Sequence, residues 1–81
     1  DEQKNYELAQ DYHVRSLKIS EEIGNKQGMA WSYGNIGMIH IDQGKYEQAL
    51  SYYLKSLWMK LLLLVLHLFQ ILDQLYFEAD E

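Results

Sequence analysis

The side chains that could act as nucleophile, base or ligand are few and scattered. His13, His40 and His67 stand in three separate segments, and none has a second histidine at a short ligand spacing, so a metal site would need three elements to converge. There is no cysteine, which removes thiolate ligands, thiol nucleophiles and any disulfide framework. Gly37 to Lys45 holds a Gly-Lys pair, yet six residues separate Gly37 from Gly44 where a phosphate-binding loop has about four. Tyr46 also stands where that loop needs a hydroxyl for magnesium. The adjacent carboxylates Glu21-Glu22 and Asp80-Glu81 fall at segment ends, where a charge run is expected to be a solvated surface and not an acid-base pair. No serine sits between the glycines of a nucleophile elbow. The residue inventory therefore points away from an enzyme and implies no cofactor.

What remains is a chain built for packing. Its 81 residues are 48% hydrophobic and 23% charged, which suits one small globular unit or a piece of one. Seven Lys and Arg against twelve Asp and Glu give a net charge of −5 with no cationic cluster, so nucleic acid is excluded as a partner. The lack of cysteine favours an intracellular, cytoplasmic setting. The N-terminus Asp1-Glu2-Gln3-Lys4 is polar, unlike a secretory leader, and the absence of an initiating Met suggests a fragment or processed product.

Glycine is confined to the first half and proline is absent, which predicts helices separated by glycine turns. Apolar residues from Asn5 to Ile23 recur at helical spacing and predict a first helix there. Gly24-Asn25-Lys26-Gln27-Gly28 reads as a tight loop, Met29 to Asp42 as a second helix, and Gln43-Gly44-Lys45 as its stop. A third helix begins near Tyr46, and no Gly, Pro, Asn or Thr follows to end it before the acidic stretch Glu78 to Glu81. The expected fold class is all-α, with about three helices, the last long and apolar.

The chain also matches itself. Tyr6-Glu7 and Ala9 recur as Tyr46-Glu47 and Ala49, Tyr12 meets Tyr52, Arg15 meets Lys55, and Ser16-Leu17 meets Ser56-Leu57, all at an offset of 40 residues. Tyr33, Ile36-Gly37 and His40, followed by Ala49 and Tyr53, resemble the aromatic, aliphatic-glycine and alanine-aromatic spacing of a tetratricopeptide repeat. The resemblance covers Tyr6 to about Lys60 and is nearest the subclass with lengthened inter-repeat loops, as in spindle-orientation scaffolds and kinesin light chains. It implies one and a half repeats in residues 1–60, antiparallel helix pairs of an α-solenoid, and a non-catalytic module that binds a protein or peptide. The implied peptide-binding face of helix 2 is Trp31, Asn35, Met38 and Asp42, with Asn35 a hydrogen-bond partner for a ligand backbone or, alternatively, bonded within the helix pair. No Lys or Arg occurs from Met29 to Gly44, which disfavours a clamp for a C-terminal carboxylate.

Packing logic assigns small and large residues to the same interface. Ala30, Gly37 and Ala49 would let helices 2 and 3 approach, with Tyr33, Ile36, His40, Tyr46, Leu50 and Tyr53 filling the space around them. Beyond Lys60 the repeat pattern fails, and residues 61–81 read as an apolar helical tail with an acidic end. Lys60, His67, Gln70 and Gln74 form one narrow polar stripe on it. The rest of its surface must be covered, and three covers are open. A second copy would pair through Leu61, Leu62, Leu64, Val65, Leu68, Phe69, Ile71, Leu72 and Tyr76, giving a homo-oligomer. The tail could instead fold back over helices 1 and 3 after a turn near Lys60. As the alternative function, it makes the chain a membrane-associated helical protein. That last reading is the weaker, because Leu61 to Leu72 is short of the roughly 20 residues a bilayer needs and Lys60 is its one firm cation.

Overall fold

The computed structural model describes residues 1–79 as three helices, α1 (Glu2–Ile23), α2 (Lys26–Asp42) and α3 (Tyr46–Ala79). The carboxylate pair Asp80 and Glu81 lies outside the described residues. The all-α class follows directly from these elements. α1 begins three residues earlier than the apolar pattern requires, because the Asp1 carboxylate accepts the Lys4 N–H at 2.8 Å and caps an otherwise polar first turn.

Both helix stops are made the same way. Gly24 and Gly44 take up left-handed backbone angles, φ 71° and φ 76°, that any side chain would strain. The residue after each then donates its N–H back into the helix, Asn25 to the Ser20 carbonyl and Lys45 to the His40 carbonyl, each at 2.8 Å. The expected loop at 24–28 is shorter than its sequence suggests. Asn25 caps α2 by accepting the Gly28 N–H at 3.0 Å, so Lys26, Gln27 and Gly28 form the first helical turn, and α2 starts at Lys26 and not Met29. Gly28 serves a close approach there: a Cβ would stand 2.5 Å from the Ser20 hydroxyl of α1.

α2 packs between α1 and α3, and α1 does not reach α3 among the described residues. The buried apolar core is small: Ala30, Ile36, Ile39 and Ala49. Two buried polar side chains are tied down, the first being the Ser56 hydroxyl of α3, which donates to the Ala30 carbonyl of α2 at 2.8 Å. The His40 ring donates from Nδ1 to the Ile36 carbonyl at 2.8 Å. Gly37, Ala30 and Ala49 set the approach of α2 and α3 as the small-residue argument expects. Tyr46 and Leu50 do not fill that interface. Both are exposed: Tyr46 shares the face of Tyr53 but stands in the first turn of α3, and Leu50 lies about 100° around the helix from Ala49.

α3 runs unbroken for 34 residues. No turn forms near Lys60, so the tail does not fold back over α1, and the molecule measures 64 × 24 × 13 Å. Without Gly, Pro or Asn after Gly44, the backbone keeps its helical hydrogen bonds throughout.

Candidate protein-interaction surface

α2 and α3 splay apart on one side to leave an apolar groove of about 380 Å³. Six residues of α2, Gln27, Ala30, Trp31, Gly34, Asn35 and Met38, lie along it, because steps of three and four return to the same helix face. Asp42, expected on that face, does not line the groove; it lies one turn past Met38 at the end of α2. Ala30 and Gly34 form a low floor beside the half-buried Asn35, and Trp31 and Met38 stand exposed at the rim.

The opposite wall comes from α3: Tyr53, Ser56, Lys60 and Leu63. Gln27 closes the end nearest Leu63. The spacing on α2 alone cannot show these residues, since they join the site only through the pairing of the two helices. Lys60 matters most among them. α2 lines the groove with no cation, and α3 supplies one to its wall.

On the other side of α2, Tyr33 and His40 pack with Tyr52 of α3, ring centroids 6.3 and 5.1 Å apart. The Lys55 ammonium lies 5.2 Å from the Tyr52 centroid and 5.8 Å from that of Tyr33, within cation-π range. Burial holds the Tyr33 phenol above its ordinary pKa, and the nearby Glu21 and Tyr52 push it further in the same direction. A raised folded-state value means that the unfolded chain releases this proton first. Stability from Tyr33 is therefore complete below the ordinary phenol value of about 10 and is lost as pH rises through the folded value. Alkaline denaturation followed by circular dichroism should show this loss in the wild type and a smaller one in Tyr33→Phe. Identical alkaline slopes would refute it.

The three histidines do not converge. His13 sets its ring edge-on to Tyr12, His40 is buried against Ile36, and His67 is exposed on α3. Among the described residues no three His, Asp or Glu side chains gather into a group fit for a metal.

A family model of the tetratricopeptide repeat matches residues 2–60, most of the chain. The chain belongs to the tetratricopeptide repeat family. That family is one of protein-protein interaction modules. Among curated proteins and among solved structures, nothing matches the chain. The repeat match ends at Lys60, part-way along a continuous α3, so the helix carries on where the tetratricopeptide pattern stops. Beyond that point Leu61, Leu64, Val65, Leu68, Phe69, Ile71, Leu72 and Tyr76 are exposed, and Leu62 is half-buried. α3 is also long and apolar enough to cross a bilayer by length and composition, with an 18-residue window of mean hydropathy 1.6 that is 6% buried. The span is longer than Leu61 to Leu72 because one helix tolerates the isolated charges that bound that stretch.

Proposed function

We propose that the chain is a non-catalytic interaction module of the cytoplasm that holds a peptide segment of a partner protein in the groove between α2 and α3. The observation that carries this reading is the position of Asn35. Its carboxamide, with one acceptor and two donors, lies in the groove between the apolar Trp31 and Met38, where an extended backbone would find both kinds of hydrogen bond. Lys60 across the groove favours a peptide with an acidic group near one end. We also place the repeat in the 40-residue subclass, on the Tyr6 to Tyr46 offset, with the added length carried by the helices.

Peptides selected from a display library on the wild-type chain test this reading. Asn35→Ala and Trp31→Ala should each weaken them about tenfold, since one hydrogen bond or one partly buried aromatic is worth roughly 1 to 2 kcal/mol. Gln48→Ala, exposed on α3 away from the groove, should change nothing. Equal binding by all three variants would refute the assignment.

A second reading, membrane association through α3, is favoured by the helix's length and apolarity. Flotation with liposomes separates it, because a chain that works from the aqueous phase stays at the bottom of the gradient.

A further inference from the structure

α3 carries a pattern that neither the repeat nor the tail explains. From Leu50 through Leu54, Leu57, Leu61, Leu64 and Leu68 to Ile71 and Leu75, leucine or isoleucine recurs at alternating steps of four and three without a break. That is the a and d pattern of a left-handed coiled coil, sustained over more than three heptads, where two interlocking helices each present one apolar seam. Every seam residue is 40 to 60% exposed. The seam also ignores the limit of the repeat: its first three residues stand on the hairpin and the rest on the extension, along a face of α3 beside the line that packs on α2.

The two sides of the extension differ in a way that identifies what covers it. The line of α3 that packs on α2, through Ala49, Tyr53 and Ser56, continues as Lys60, Leu63, His67, Gln70 and Gln74, all but Leu63 suited to water. The seam side stays apolar to Leu75. A helix surrounded by lipid would bury the polar line at a cost; a partner helix seated on the seam leaves that line in water.

The area agrees. The chain exposes 6467 Å², whereas a compact monomer of its mass exposes about 5,100 Å². The excess in two copies is about 2,700 Å², within the range of obligate homodimers, which begins near 2,000 Å². We propose that α3 pairs with α3 of a second copy along this seam as a two-stranded coiled coil, leaving the α2–α3 groove open on each protomer. This inference is independent of what the groove binds.

Light scattering during size exclusion of the full chain at micromolar concentration should give twice the 9.6 kDa monomer mass. Two substitutions of equal chemistry then separate seam from surface. Leu64→Lys should halve the mass. Leu66→Lys should leave it doubled, because Leu66 is about as exposed as Leu64 but lies on the far side of the helix, roughly 200° around.

Crosslinking keeps the test independent of folding losses. The natural chain has no cysteine, so Leu64→Cys, near the seam's midpoint in either strand orientation, should oxidise to a covalent dimer at least about tenfold faster than Leu66→Cys. A wild-type monomer, equal crosslinking at the two positions, or a chain that associates only with liposomes would overturn the proposal.

Discussion

Replacing Ile36 by alanine is expected to lower the melting temperature by roughly 10 to 30 °C. Ile36 is the one large apolar side chain with no exposed surface, and its loss combines transfer free energy with a cavity, about 2 to 5 kcal/mol. The size of the effect relative to the whole is what makes it severe. A unit of this length has a stability of only about 4 to 12 kcal/mol, and among the described residues its buried apolar core otherwise consists of Ala30, Ile39 and Ala49. The same carbonyl that begins the Ile36 peptide unit accepts the His40 ring N–H, so a shift of the backbone around a new cavity would also disturb a buried hydrogen bond. Ile41→Ala is the control, because Ile41 is 42% exposed and its truncation should cost under about 1 kcal/mol. Both melts must be run at one chain concentration, since self-association raises apparent stability. A smaller loss for Ile36→Ala than for Ile41→Ala would contradict the core described above.

How far this architecture is legible in the sequence differs from element to element. The ends of α1 and α2 are legible because Gly24 and Gly44 do their work locally, through a backbone conformation that needs no neighbour. The start of α2 is not, because Gly28 resembles a turn former, whereas its smallness answers the Ser20 hydroxyl of another helix. The groove is half legible. Trp31, Asn35 and Met38 are implied by the repeat resemblance, but Ser56, Lys60 and Leu63 enter only through the pairing of α2 with α3. Tyr46 and Leu50 show the opposite failure. Their types suit a core, but Tyr46 stands in the first turn of α3 and Leu50 lies to one side of the line that meets α2, and both are exposed. The leucine ladder is present in the sequence, yet a boundary drawn at Leu61 divides it, and each half then takes on another meaning: core filler upstream and apolar tail downstream.

Substituting leucine at Gly37 should destabilise the hairpin by about 1 to 3 kcal/mol or more, whereas alanine at Gly34, three residues earlier on the same helix, should stabilise it. The contrast follows from what a side chain would meet. At Gly37 even a Cβ would stand 3.2 Å from two ring carbons of Tyr53, closer than ordinary contact, and leucine adds three further carbons where the backbones of α2 and α3 are nearest. At Gly34 a Cβ would stand 3.7 Å from the Ser56 hydroxyl, an ordinary distance, so removing a mid-helix glycine gains about 0.5 to 1 kcal/mol of helix propensity without a clash. Denaturant melts of the two variants should therefore move in opposite directions. Tyr53 joins this packing to function, since the ring that Gly37 accommodates also walls the groove. Gly37→Leu should thus displace Tyr53 and weaken any groove peptide as well as the fold, and pairing it with Tyr53→Ala should restore part of the lost stability but not the binding. If the double variant is no more stable than Gly37→Leu alone, the clash lies elsewhere and Tyr53 is not the contact that requires glycine at this position.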